Sequence, residues 1–148
     1  MHRLQIQIRR QAWSEMIGHC LEAMPREACG LLFGCLSAAG IPAAEHYVPV
    51  ANAAKNPLHS FELHPQELVR ALYAASGKQE LVGIVHSHPR AAPYPSDQDL
   101  ATLWHTTPSH WIVSLRNPSL PEVNAFAFRK RQRENFSLEA ISYEIVME

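Results

Sequence analysis

Aspartate is almost missing from this chain: its 148 residues contain two, Asp97 and Asp99, set two positions apart. Cysteine is sparse too. Cys20, Cys29 and Cys35 are odd in number and form no Cys-x-x-Cys pair. This excludes a cysteine-rich structural zinc site and fits reduced thiols in a cytoplasmic protein. A formal net charge of −1 supplies no global field to draw in nucleic acid or an anionic membrane. No apolar run approaches the roughly 20 residues that a membrane-crossing helix needs. The opening MHRLQIQIRRQ lacks the continuous apolar stretch of a secretory leader. Internal repeats, low-complexity segments and linkers are also missing. What is present, 47% hydrophobic and 18% charged residues, fits one globular domain over residues 1–148 with a core of its own.

Hydrophobic periodicity orders this domain. Leu4 to Ile8 alternates as a strand with one wet face, and Arg10 to Met24 has helical spacing with a stripe through Trp13, Met16, Ile17, Cys20, Leu21 and Met24. Pro25 ends that helix. Cys29 to Leu36, apolar on both faces and broken by Gly30 and Gly34, reads as a buried central strand. Cys29 itself reads as a small buried hydrophobe. Ala43 to Val50 is a further, antiparallel strand, residues 51–59 form a surface loop, and Ser60 to Leu63 a short strand. His64-Pro65 opens a helix to about Ala75, with an apolar face of Leu68, Val69, Leu72 and Tyr73. A strand over 81–88, a helix from Ser96 through Leu100, Leu103 and Trp104 to Pro108, and strands at 110–115, 123–128 and 136–146 complete the chain. The order β-α-β-β-β-α-β-α-β-β-β predicts an α/β fold with a mixed sheet flanked by helices. The basic run Arg129 to Arg133 reads as a solvated hairpin turn.

The chemistry concentrates in LVGIVHSHPRAAPYPSDQD, residues 81–99. A short apolar strand delivers His86 and His88. Residues i and i+2 of a strand share a face and lie roughly 6.6 Å apart along the chain, close enough for two imidazoles to converge on one ion. Three prolines then turn the chain into a helix whose first turn carries Asp99. That carboxylate can swing back as a third ligand and leave a fourth position for water, the arrangement of a catalytic zinc. With 9 histidines in the chain, a His-x-His pair alone says little. Serine and aspartate at +8 and +11 from the second histidine lower the chance rate to on the order of one in a thousand. Ser96-x-x-Asp99 is equally a capping box for the helix. Adjacent helix positions do not share a face, so Asp97 is not a co-ligand. His59 and His64 flank the short strand before the second helix, while His2, His19, His46, His105 and His110 show no ligand spacing.

His86-x-His88, seven residues, Ser96, two residues, Asp99 resembles the motif of the JAMM (MPN+) metalloproteases. Glu27-Ala28-Cys29-Gly30-Leu31-Leu32-Phe33-Gly34 is similar to that family's upstream glutamate and its Gly-Leu-Leu-x-Gly-like strand. The resemblance runs from about Arg10 to Leu115. It implies a cytidine-deaminase-like α-β-α sandwich, one Zn²⁺ on His86, His88 and Asp99, and a zinc metallopeptidase. Spacing alone leaves Glu45, Glu62, Glu67 and Glu80 open as the proton-shuttling carboxylate; the resemblance selects Glu27. It likewise gives Ser96 the task of steadying the oxyanion.

The chain is compact and looks like the small bacterial members that process sulfur carriers of the ThiS/CysO type. The resemblance thus implies a partner: the C-terminal tail of a small ubiquitin-like protein, bound by strand addition at a sheet edge. It also leaves room for a homodimer, and implies neither nucleic acid nor membrane as partner. The alternatives are a non-catalytic MPN-type interaction domain and a RadC-like DNA-repair protein, although RadC carries His-Asn-His-Pro where this chain has His-Ser-His-Pro. A zinc nucleoside deaminase would need His-x-Glu and Pro-Cys-x-x-Cys, and neither occurs.

Overall fold

A computed structural model of the chain describes residues 5–36, 39–102, 107–130 and 136–147. Its elements are β1 (Gln5–Arg9), α1 (Arg10–Ala23), β2 (Cys29–Leu36), β3 (Pro42–Val50), α2 (Pro65–Ala75), β4 (Glu80–His88), α3 (Asp97–Thr102), β5 (Ser109–Ser114), β6 (Glu122–Lys130) and β7 (Phe136–Val146). The sheet is mixed, as expected, but it does not stay open. In the order β1-β3-β2-β4-β5-β6-β7 it closes on itself, because β7 runs parallel to β1 and pairs with it from Gln5↔Ser142 to Arg9↔Val146. The mixed sheet with its helices is as expected, and the closed order of these strands does not by itself bear out the α-β-α sandwich description.

Closure gives the sheet an inside. One apolar cluster draws residues from all seven strands, among them Ile6, Leu32, Val85, Trp111, Ala125 and Ile141, and α1 adds Ala12, Met16 and Cys20 to it. Spacing by four puts these three on one stripe of the helix. Leu21 of the expected stripe is 37% exposed. A second cluster uses only β2, β3 and β4, with Leu31, Phe33 and Ile84 packed under Leu68, Ala71, Leu72 and Ala75 of α2. Helix α2 is thus rotated from the expected face: Val69 and Tyr73 are exposed, and two alanines take their places. Its first turn is capped by His64, whose Nδ1 accepts from the Glu67 amide at 3.3 Å. That cap is His64's role here, and it lies outside the metal centre.

Two glycines let β2 and β3 come together. A side chain at Gly34 would run into the Ala43 carbonyl, at the point where the β2–β3 register shifts. One at Gly30 would run into the Tyr47 ring. The expected strand at Ser60 to Leu63 is reduced to a single bridge, Asn52↔Leu63. The expected continuation of α3 through Leu103 and Trp104, and the side chains of the basic run Arg129 to Arg133, lie outside the described residues. Among the described residues, no helix is long and apolar enough to cross a membrane.

Candidate metal centre

Strand β4 ends in the site. It is paired on both sides, antiparallel with β2 and parallel with β5, and its last residues are fixed by Cys29↔His86 and His88↔Ser114. His86 and His88 are both buried and turn their Nε2 atoms to within 3.1 Å of each other. Asp99 Oδ2 lies 3.1 Å from His86 Nε2 and 3.0 Å from His88 Nε2. Three donor atoms thus form a nearly equilateral triangle. A tetrahedral ion with bonds of about 2.0–2.1 Å sets neighbouring donors about 3.3 Å apart, so these atoms need to move by only a few tenths of an ångström to hold one.

The surroundings aim each donor. Ser96 and Asp99 form the reciprocal capping box: the Asp99 amide donates to Ser96 Oγ at 3.1 Å, and the Ser96 amide donates to Asp99 Oδ2 at 2.9 Å. The box that starts α3 is therefore also what turns Asp99 toward the imidazoles. His88 Nδ1 faces the Ala92 carbonyl at 2.9 Å, which places its proton there and leaves Nε2 as a lone pair directed at Asp99. The His86 ring stacks on Phe61, centroids 4.3 Å apart and planes 17° from parallel. The His88 lone pair and the Asp99 carboxylate, facing each other at this range, need a proton or a metal cation to bridge them.

The titration behaviour agrees. Burial lowers His86, and Asp99 only partly offsets it. Burial also works against His88, but Asp99, the Ala92 carbonyl and Glu27 together raise it. Burial acts to raise Asp99, yet bonds from both histidines and the Ser96 amide hold it well below the usual carboxylate range. These three residues form the group able to hold a metal ion among the described residues. Asp97 is not in it.

Glu27 stands beside this triangle. It lines a cavity of ≈ 340 Å³ with His88, Ser96, His59 and Arg90. Its carboxylate is buried, and Oε1 has no hydrogen-bond partner among the described residues. Burial pushes Glu27 up to about 7; His88 pulls it down, and Asp99 pushes it further up. An orphaned, readily protonated carboxylate facing a cavity is suited to exchanging protons with whatever enters. Ser96 also opens on this cavity. Its oxygen already accepts from the Asp99 amide, and its single O–H remains for the cavity side.

Two residues without a ligand pattern hold Glu27 in place. Ser87, between the two histidines, accepts from the Ala28 amide at Oγ (2.8 Å) and donates its own amide to the Ala28 carbonyl (3.0 Å). Asn52 donates to the carbonyls of Glu27 and Ser60, each at 2.9 Å, and accepts from the amides of Ala54 and Glu62 at 2.9 and 3.0 Å. One amide side chain thereby ties the Glu27 segment to the loop that carries Phe61. The turn chemistry of residues 51–59 indicated a loop near the site, but nothing local marked Asn52 as its hub. We expect Asn52→Ala to lower unfolding free energy by about 2–3 kcal/mol, because four partners of roughly 1 kcal/mol each are only partly replaced by water. Urea unfolding of the two proteins checks this.

Two other polar groups, Cys29 and His19, are engaged in structural contacts. Cys29 is buried, its thiol donates to the Val50 carbonyl at 3.4 Å, and burial pushes it up to about 12, so it is no nucleophile. His19 pairs with the Tyr47 hydroxyl at 2.6 Å.

Comparison with known proteins places this arrangement. The chain is 42% identical over 76 residues to a desampylase of Haloferax volcanii, a match spanning 51% of the chain and 52% of that protein's own length. It is 29% identical over 120 residues to the CysO-cysteine peptidase of Mycobacterium tuberculosis, covering 80% of each. A solution structure of a Desulfitobacterium hafniense protein superposes with a TM-score of 0.79 at 28% identity, covering 97% of this chain and 95% of that one. The family model for prokaryotic homologs of the JAB domain matches residues 9–133, which bears out the resemblance read from the motif. With the histidine pair, the capping-box aspartate and the upstream glutamate all inside that span, the chain belongs to the prokaryotic JAB-domain family.

Proposed function

We propose that this chain is a zinc-dependent peptidase that cuts the peptide or isopeptide bond following the C-terminal tail of a small ubiquitin-like sulfur-carrier protein. One observation carries the reading: three convergent metal donors lie beside a buried glutamate whose Oε1 is without a partner among the described residues. A non-catalytic interaction domain has no need to keep these four groups together. Two relatives, named as a desampylase and a CysO-cysteine peptidase, point to the same kind of substrate.

In this reading His86, His88 and Asp99 hold the ion, and the donor set of two imidazoles and one carboxylate suits zinc with an open position. When bound, zinc supplies a lowered water pKa and polarises the scissile carbonyl. The Glu27 carboxylate takes a proton from the attacking water and passes it to the leaving nitrogen. The water oxygen forms the new C–O bond as the C–N bond breaks. The Ser96 hydroxyl donates toward the oxygen that gains charge. Phe61 and the buried β4 end keep bulk water from the imidazoles.

The tail has a bed on the other side of the centre. A cleft of ≈ 500 Å³ is lined by Phe61, Leu63, Leu68 and Ile84, with Lys55 and Gln98 at its rim. Because β4 is paired on both sides, an extended tail adds no strand to it. Residues 60–63, which form the bridge Asn52↔Leu63 and line this cleft, are the segment along which an extended tail would add. The test is to incubate zinc-loaded protein with a carrier bearing a C-terminal extension and follow mass. The expected result is release of the extension; an intact carrier contradicts the reading.

A further inference from the structure

Resting on the peptidase reading, the cavity that Glu27 lines also bears on what leaves. Glu27 can protonate the departing nitrogen only within hydrogen-bond reach, so the leaving group occupies this cavity and the tail occupies the cleft beyond Phe61. Besides Glu27, the charged residue on the cavity wall is Arg90. Arg9 and Arg116 are paired with Glu45 and Glu122, whereas Arg90 makes no ion pair among the described residues. Its backbone is pinned immediately downstream. The Ala91 carbonyl accepts from Ser114 Oγ at 2.6 Å, the Ala92 carbonyl faces His88 Nδ1 at 2.9 Å, and Pro89 before it is buried. Arg90 is thus an exposed residue on a fixed turn, on the wall of the cavity that receives the leaving group.

We propose that Arg90 is a specificity determinant that binds the carboxylate of the leaving group, so that the preferred substrate carries a single amino acid with a free α-carboxylate after the tail. In such an adduct the carboxylate lies two bonds from the nitrogen that Glu27 protonates. In an isopeptide to a protein lysine, the nitrogen ends a four-carbon stem, and no carboxylate accompanies it. A planar guanidinium matches a carboxylate with two parallel donors, which a lysine would not reproduce.

Binding tests this without turnover. A synthetic glycine-rich tail ending in one alanine is prepared as the free acid and as the carboxamide, and each is titrated into zinc-loaded Glu27→Gln protein. The expected result is about tenfold tighter binding of the acid. Adding Arg90→Gln brings the acid-to-amide ratio close to one, and Arg90→Lys restores only part of it. Equal affinities in the Arg90 protein, a ratio unmoved by Arg90→Gln, or failure of both peptides to bind would overturn the assignment. Mass analysis of the same peptides with Glu27 intact tests the peptidase reading separately. Discrimination in binding with no cleavage would leave the clamp standing and remove the enzyme.

Discussion

Glu27→Gln is expected to lower kcat by about 10²–10⁴-fold while leaving zinc content at that of the unaltered protein. Glutamine keeps the size of the side chain but cannot take or return a proton. The pH profile provides a sharper readout. Burial pushes the carboxyl of Glu27 up to about 7, and Asp99 adds to this against the pull of His88. A nearby divalent cation adds a further downward pull, so the ascending limb of kcat against pH is expected with its midpoint at or below about 7, and the variant loses that limb. Stability should change in the opposite direction. An acid whose folded pKa is raised contributes stability that is fully present below its unfolded value and is lost as pH rises through about 7. Metal-free Glu27→Gln is therefore expected to be more stable than the unaltered protein at about pH 8, by about 2 kcal/mol, and to match it more closely near about pH 4. Urea melts at the two pH values, read beside kcat, separate a proton shuttle from a merely structural acid. Loss of zinc in Glu27→Gln would mean that the residue was assigned the wrong task.

Asp99→Asn and His88→Ala are expected to weaken zinc binding by at least about 100-fold, so that neither retains stoichiometric metal through dialysis. Supporting groups around metal ligands already account for about 10–100-fold, and direct ligands exceed that. The two variants differ in what they leave behind. The side-chain carbonyl introduced by Asp99→Asn still accepts from the Ser96 amide and keeps α3 started, because the capping box needs one oxygen at that position. Truncation of His88 removes the donor to the Ala92 carbonyl as well and loosens the turn that carries Arg90. His88→Ala should therefore cost stability even without metal, and Asp99→Asn should cost less. Metal analysis after dialysis and thermal unfolding of both metal-free proteins check the pair.

Much of this was readable from local pattern. The apolar run before His86 has the length and β-branching of a buried strand, and Ser96-x-x-Asp99 announces a helix start. The structure joins the two signals, since the cap geometry is what turns Asp99 toward the two imidazoles. Where local pattern misled, a longer-range contact or a side chain had taken over. Ser60 to Leu63 alternates like a strand, but Asn52 takes the Ser60 carbonyl and the Glu62 amide with its side chain, which displaces a backbone ladder. Val69 and Tyr73 look like core beside Leu68 and Leu72, yet the face that packs on the sheet is completed by Ala71 and Ala75, and the two larger side chains are left exposed. Closure of the sheet rests on the pairing of β7 with β1, segments from opposite ends of the chain, and no window of sequence contains both. Periodicity and spacing do not single out Glu27 among the glutamates; the resemblance of residues 27–34 does. The partnerless Oε1 of Glu27 and its place on the cavity wall emerge only when Ser87 and Asn52 are seen holding its backbone.

The central claim is that two imidazoles and one carboxylate grip a single divalent ion. X-ray absorption at the zinc edge on protein loaded with one equivalent tests it most directly. The account predicts a four-coordinate site with two imidazole nitrogens and oxygen ligands at about 2.0–2.1 Å, and no sulfur. A spectrum with sulfur neighbours, with one imidazole or none, or with the same zinc environment after Asp99→Asn would contradict it.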